Sequence, residues 1–192
     1  MRLLVVDALA LLPHLPADGS IVDLGSGAGT PAIPLAVVRP QSRFVLVEAS
    51  RKKAGFLDVV CRELRLGNVH VLHARAEDLG RMPSHRERYD AVTARAVADL
   101  SVLAEYALPL LKVGGVAVLP KRSRARLEAA RARPALALLG GAAAVYESPP
   151  PPGSQIIVLR KNGPTPASYP RRPGVPARRP LSAKDLHAHI ST

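Results

Sequence analysis

The sequence predicts an α/β fold with a mostly parallel seven-stranded sheet whose last strand is antiparallel. A first short apolar run, Ile21–Leu24, leads into the glycine-dense turn Gly25–Gly29. Strand-like runs and helical patterns then alternate for five cycles, which favours parallel strands covered by helices on both faces. The last two strand-like runs are joined only by 148–154, a connection too short for a crossover helix, so we expect them to be antiparallel.

The individual elements follow from periodicity and from turn residues. Strands are predicted at 21–24, 43–47, 69–73, 89–94, 116–119, 142–147 and 155–160. Helices are predicted at about 3–15, 30–39, 50–66, 100–111 and 123–139. Thr30 offers an N-cap for the second helix and Pro31 a first helical residue. Gly67 and Asn68 are expected to end the third helix.

Three segments are expected along the 192 residues. Residues 1–19 form a short N-terminal helix, 20–161 form the α/β domain, and 162–192 form a basic tail rich in Pro and Arg. The tail lacks apolar periodicity, so we expect it not to form a packed core. Between Ser148 and Lys184 seven residues are basic and none is acidic.

Composition narrows the class of partner and the compartment. The net charge of +12 favours a polyanion, with nucleic acid first and an anionic membrane second. Cys61 is the single cysteine, which excludes a disulfide framework and a cysteine-based zinc site. No apolar run is long enough to span a bilayer and no signal peptide is evident, so we expect a cytoplasmic protein without membrane association.

The turn after the first strand predicts a ligand site. Its pattern is G-x-G-x-G with Asp23 two residues before it, and Thr30 stands where a dinucleotide fingerprint has its third glycine. Gly25 and Gly27 would let backbone approach a ligand, and the helix start adds a dipole. The pattern suits S-adenosylmethionine, although an ordinary strand-to-helix turn remains an alternative.

Residues after the other strands should lie at the same edge of the sheet, where ligands bind in such folds. Glu48 follows the second strand and could accept hydrogen bonds from ribose hydroxyls. Ala76 and Glu77 follow the third strand and could border adenine, although a helix N-terminal acid is an equally good interpretation of Glu77. Arg95 follows the fourth strand and could hold a carboxylate or a phosphate.

Basic residues near this edge are candidates for RNA contact. Arg51, Lys52 and Lys53 fill the first turn of a helix, where the dipole disfavours cations, so an RNA backbone there would compensate. Further candidates for RNA contact are Lys121, after the fifth strand, and the tail residues Arg171 and Arg172. A solvated charged surface is the alternative for these residues.

Several chemistries are excluded by what the cleft residues lack. Cys61 lies on the apolar face of its helix, so a cysteine nucleophile for methylation at cytosine C5 is not expected. The six histidines show no ligand spacing, so no metal is expected. A methyl acceptor with its own lone pair, such as guanine N7, would need mainly placement, so no catalytic residue is assigned.

These motifs together resemble the bacterial 16S ribosomal RNA guanine-N7 methyltransferases, also called glucose-inhibited division protein B. The matching stretches are Asp23–Gly29, Ile33–Ala36, Glu48–Lys53, 75–77, 93–97 and 169–176. The resemblance implies a class I S-adenosylmethionine-dependent methyltransferase with a Rossmann-like fold that methylates N7 of a guanine in 16S rRNA, as a monomer acting on 16S rRNA or a small ribosomal subunit precursor. It places cofactor contacts at Gly25, Thr30, Ala76, Glu77 and Arg95, with Glu48 as a further contact.

The sequence also departs from that family. Thr30 and Ala32 stand where the family usually has a larger apolar residue and a glycine, and the segment before the first strand is shorter than usual. Two alternatives therefore stay open: an inactive RNA-binding homologue that keeps the fold and the basic surface, and a methyltransferase of another substrate.

Overall fold

A computed structural model describes residues 2–95, 97–121, 124–147 and 155–190. Its single sheet contains seven strands: β1 Ser20–Leu24, β2 Arg43–Glu48, β3 Val69–His73, β4 Tyr89–Ala94, β5 Leu111–Lys121, β6 Gly141–Glu147 and β7 Gln155–Lys161. The strand order is β3-β2-β1-β4-β5-β7-β6. The connection 148–154 lies outside the described residues.

The strand directions confirm the predicted fold class. The strands β1 to β5 are parallel to one another, whereas β7 is antiparallel to both β5 and β6. The strand order reverses at β1, because β2 and β4 lie on its two sides. In an open parallel sheet such a switch point opens a crevice at the carboxyl ends of the strands.

Helices cover both faces of the sheet. They are α1 Arg2–Leu9, α2 Ala32–Val38, α3 Arg51–Glu63, α4 Ala76–Leu79, α5 Leu100–Ala107, α6 Ala125–Leu138, α7 Val175–Arg178 and α8 Ala183–Ile190. The first helix is shorter than predicted and is followed by a 3-10 turn at Leu12–His14. Pro13 explains the break, because proline has no N–H to continue an α-helix.

The core has two layers, one on each face of the sheet. One layer packs α5 and α6 against the sheet through Leu103, Ala107 and Leu136. The other packs α2 and α3 through Leu35 and Leu57. Cys61 is buried in this second layer, which confirms its prediction as a core residue.

The C-terminal tail differs from its expectation, because it packs on the domain. Leu181 and Pro176 are buried. The guanidinium of Arg86 donates hydrogen bonds to the carbonyl oxygens of Thr165 and Tyr169, at 2.7 and 2.6 Å. The tail has no periodic apolar face, but its backbone carbonyls and a few apolar side chains fix it to the core. Among the described residues, no helix is long and apolar enough to cross a membrane.

Candidate functional site

The glycine turn lies at the carboxyl edge of the sheet, at the switch point. The amides of Gly25 and Ser26 donate to the carbonyl of Val47 at the end of β2, at 2.8 and 3.1 Å. Gly25, Gly27 and Gly29 have φ of 65°, 55° and 91°. These positive angles favour glycine, and the two hydrogen bonds fix the turn against the neighbouring strand.

The glycines of the turn serve different purposes. A Cβ on Gly29 would lie 2.3 Å from Ile33 and 3.2 Å from Leu57, so this glycine is required for helix packing. A Cβ on Gly27 would meet only the carbonyl oxygen of Gly25, at 3.7 Å. Gly27 therefore faces open space, where a ligand can approach the backbone.

Glu48 ends β2 with a buried carboxylate beside this turn. One of its oxygens accepts a hydrogen bond from the amide of Gly27 at 2.9 Å, and the other accepts one from Ser50 at 2.8 Å. The side chain thus links the glycine turn to the start of α3. Because a carboxylate oxygen can accept more than one hydrogen bond, Glu48 can also receive ligand hydroxyls.

Asp23 is the most deeply buried carboxylate at this edge, and the sequence-based site did not include it. One oxygen accepts a 2.6 Å hydrogen bond from the hydroxyl of Thr93, while the other has no partner. Burial raises the pKa of Asp23 to about 6, although the hydrogen bond from Thr93, the side chain of Ser26 and the charge of Arg95 oppose that rise. The acid two residues before Gly25 was the sequence signal that could have identified it.

Thr30 and Arg95 meet across the cleft. The guanidinium of Arg95 donates to the hydroxyl of Thr30 at 2.8 Å. Thr30 is not the N-cap of α2, which begins after Pro31 and has no side-chain cap. The structure therefore brings together two residues that the sequence assigned to the same ligand, although 65 positions separate them.

Ala76 and Glu77 begin α4, directly after β3. The carboxylate of Glu77 is buried and accepts a 2.9 Å hydrogen bond from the backbone amide of Gly174 in the tail. Burial, followed by the negative charge of Glu77, raises the pKa of Tyr106 on α5 to about 12. Glu77 thus lies between the candidate ligand edge and the docked tail.

The predicted RNA-contact residues fall into two groups. Arg51, Lys52, Lys53 and Arg172 are exposed. Lys121 instead donates to the carbonyl of Ala98 at 3.0 Å and lies 2.7 Å from Glu128. Arg171 forms an ion pair with the buried Glu105, with a shortest distance of 2.6 Å. For these two residues the structure therefore replaces the expected free cation with an internal partner.

The site fits a ligand with a cationic amino-acid end. A buried carboxylate oxygen without a partner, on Asp23, is suited to a cation or an N–H donor. The open space at Gly27 admits ligand atoms next to the backbone, and Glu48 and Arg95 supply an acceptor and a cation at the same edge. Among the described residues, no group of three or more His, Cys, Asp or Glu could hold a metal ion.

Two solved structures with a similar fold are named as methyltransferases. An S-adenosylmethionine-dependent O-methyltransferase from Thermotoga maritima matches with a TM-score of 0.62 at 18% identity, over 84% of this chain and 66% of that one. A rRNA methylase from Streptococcus thermophilus matches with a TM-score of 0.58 at 19% identity, over 82% and 94%. The fold is therefore that of the class I S-adenosylmethionine-dependent methyltransferases.

Sequence similarity defines the class further. Residues 1–149 match the family of rRNA small subunit methyltransferase G. Proteins named ribosomal RNA small subunit methyltransferase G are 51% identical in a Roseiflexus species, over 86% of this chain and 72% of that protein, and 47% identical in Pelotomaculum thermopropionicum, over 92% and 76%. The chain belongs to this family. That membership confirms the predicted enzyme class, its S-adenosylmethionine donor and small-subunit rRNA as its substrate.

Proposed function

We propose that this enzyme transfers a methyl group from S-adenosylmethionine to N7 of a guanine in 16S rRNA. The observation that carries the proposal is the glycine turn, where Gly27 has open backbone and the preceding Asp23 has a buried oxygen without a hydrogen-bond partner. When bound, the donor supplies a methyl group activated by a sulfonium centre. The neutral N7 lone pair of guanine can accept that methyl group without a covalent nucleophile.

The donor contacts are assigned to the residues of the carboxyl edge. The residues predicted from the sequence are Gly25, Gly27, Thr30, Glu48, Ala76, Glu77 and Arg95. We add Asp23 to this assignment. Glu48 suits the ribose hydroxyls and Arg95 suits the amino-acid carboxylate, which it would bind while still held by Thr30. The Glu77 carboxylate already accepts a hydrogen bond from the Gly174 amide, so we assign the contact with the adenine edge to the backbone at 76–77 instead.

The protein's part in catalysis is mainly placement. The buried carboxylates of Asp23 and Glu48 would provide charged groups at fixed positions around the donor. The turn between them is held in place by hydrogen bonds to β2. The acceptor base must then enter from the solvent side of the same edge. Orientation of two reactants in this way can account for a large share of a rate enhancement without an acid or a base.

RNA contact is proposed for two exposed basic groups that flank the edge. One is the first turn of α3, with Arg51, Lys52 and Lys53, and the other is the docked tail, with Arg172, Arg178 and Arg179. Lys121 and Arg171 are assigned supporting roles instead, since each has an acidic partner. We further propose a monomer that works in the cytoplasm on 16S rRNA or on a small-subunit precursor.

The test is a map of N7-methylguanosine in rRNA by mass spectrometry. Ribosomal RNA from cells without the enzyme would be incubated with the purified protein and methyl-labelled donor, both as naked 16S rRNA and as small subunits. One labelled guanine in 16S rRNA is expected. Label at a different atom would refute N7 transfer, and RNA binding without transfer would favour the inactive homologue.

A further inference from the structure

The C-terminal segment, defined as residues 169–181, is fixed to α4 and α5. These two helices lie beside the proposed adenine side of the donor edge. Its Arg171 donates to the Glu105 carboxylate through the backbone amide at 2.8 Å and through the guanidinium at 2.6 to 3.2 Å. Glu105 is fully buried on α5. The Arg171 guanidinium also donates to the carbonyl of Arg179 at 2.8 Å, which closes the segment on itself.

A second link joins this segment directly to a residue of the donor site. The amide of Gly174 donates to the Glu77 carboxylate at 2.9 Å. A Cβ at Gly80, just after α4, would lie 2.9 Å from Pro170, so the segment also packs closely on the end of this helix. The short helix α4 is therefore held between α5 and the C-terminal segment, and its first residues are Ala76 and Glu77.

We propose that Glu77 and Arg171 are positioning residues that form a latch, defined as the Gly174–Glu77 and Arg171–Glu105 contacts. The latch sets the backbone at 76–77, so that seating of the C-terminal segment and binding of the donor favour each other. This inference rests on the proposed function, because it requires the donor to contact residues 76–77. Arg171 contacts Glu105 and not the donor edge, so any effect of Arg171 on the donor must be relayed.

The coupling also gives the exposed arginines of the segment a role. Arg172 lies between the two latch contacts, and Arg178 follows shortly after, with both side chains exposed. RNA phosphates that bind these arginines would stabilise the seated segment. Because a coupling free energy is reciprocal, donor binding must then strengthen RNA binding by the same factor that RNA strengthens donor binding.

The decisive variant is Arg171→Ala, compared with Arg171→Lys and with Ile157→Val. Ile157 is a buried residue of β7 that makes neither of the two latch contacts, so its truncation should lower stability while leaving those contacts in place. Binding of S-adenosylhomocysteine would be measured by calorimetry, and amide hydrogen exchange of 169–181 would be followed with and without it. Both measurements are independent of turnover.

Arg171→Ala is expected to weaken S-adenosylhomocysteine binding by about tenfold, within the usual range of a coupling free energy between two sites. In the unsubstituted protein the ligand should slow amide exchange across 169–181, and in Arg171→Ala this protection should disappear. Arg171→Lys should restore part of the affinity, and Ile157→Val should bind normally. Glu77→Gln keeps an acceptor for the Gly174 amide and should retain the protection.

Two results would overturn the latch. One is unchanged affinity in Arg171→Ala while the segment exchanges freely, and the other is a segment whose exchange does not respond to the ligand in the unsubstituted protein. Failure of the unsubstituted protein to bind S-adenosylhomocysteine at all would instead refute the donor, and with it the proposed function. The two failures are therefore distinguishable.

Discussion

At the scale of single residues, the site depends on a buried carboxylate, Asp23, of which only one oxygen is hydrogen-bonded. Asp23 has one hydrogen-bonded oxygen and one without a partner, and burial raises its pKa to about 6. Asp90, at the other end of the sheet, shows the opposite balance. Burial acts to raise its pKa, but the hydrogen bonds and charge of Lys112 and the hydrogen bonds of Ser20 lower the pKa overall. Ionisation of Asp23, where the ligand is expected, therefore lowers the stability of the folded protein, whereas ionisation of Asp90 raises it.

The first prediction concerns stability against pH. The folded pKa of Asp23, about 6, lies above its ordinary value of 3.8, so its stabilising contribution is fully present below pH 3.8 and is lost as pH rises through about 6. The free energy of unfolding of the unsubstituted protein should therefore fall, relative to Asp23→Asn, by roughly 2–3 kcal/mol between pH 4 and pH 7. Urea unfolding at several pH values measures it.

The control for that prediction is Asp90→Asn. Because the pKa of Asp90 is lowered in the folded protein, its contribution is present above pH 3.8 and is lost as pH falls. The stability difference should therefore change with pH in the opposite direction. Two variants with parallel pH curves would contradict the account of Asp23.

A second prediction concerns donor affinity against pH. A charged Asp23 can attract the cationic donor, whereas a protonated Asp23 cannot, so affinity should increase as pH rises from 5 to 7. In Asp23→Asn the affinity should be weaker above pH 6 and should depend less on pH. Isothermal calorimetry with S-adenosylmethionine tests it, and an equal pH dependence in both proteins would rule out Asp23 as the titrating group.

At the scale of elements, the glycine turn and the helix after β2 are held together by Glu48. On the other side, β4 contributes Thr93, and Arg95 follows directly after β4. Three consecutive strand ends thus contribute to one site. The order β2-β1-β4 brings them together, because parallel neighbours end at the same edge. The glycine turn contributes only backbone groups to this site.

The third prediction tests that use of bare backbone. Gly27→Ala places a methyl group in open space at a φ of 55°, so it should cost about 1 kcal/mol of stability and should also lower donor affinity by about tenfold or more. Gly114→Ala is the matched control. Gly114 has a φ of 89° and nothing within 4 Å of its Cβ position, but it lies away from the donor edge. Equal donor affinities in the two variants would contradict the site.

Site residues that belong to a local sequence motif could be predicted from the sequence. Residues whose role depends on contacts between distant parts of the chain could not. The glycine spacing and the acid at the end of the second strand predicted Gly27 and Glu48 at one edge, where the structure places them in contact. Docking of the tail depends on backbone groups such as the Gly174 amide, which leave no periodic signal. Glu105, an acid within an apolar helix, was the one local sign that a cation would come from elsewhere.

At the scale of the whole molecule, charge is distributed unevenly around the donor edge. The chain carries a net charge of +12, yet two of the cations predicted to contact RNA, Lys121 and Arg171, are paired with internal carboxylates. The exposed cations of α3 lie on one side of the cleft and those of the docked tail lie on the other. The two groups are carried by different elements of the fold. We therefore expect the positive field that attracts RNA to come from the exposed cations of these two groups.

The last prediction measures this field through the salt dependence of RNA binding. Replacing Arg51, Lys52 and Lys53 together by Ala should weaken binding to 16S rRNA at low salt and should lower the slope of log K against log salt concentration by about 2, because each released counterion contributes roughly 0.7–0.9. Donor affinity should stay within about twofold, since exposed charges act weakly on a site that is not in contact with them. The control is Arg131→Ala with Arg133→Ala, two exposed arginines further along α6. If that pair lowers the slope as much per charge as the α3 residues do, RNA binds the whole basic surface, and the first turn of α3 has no special part in bringing the guanine to the donor.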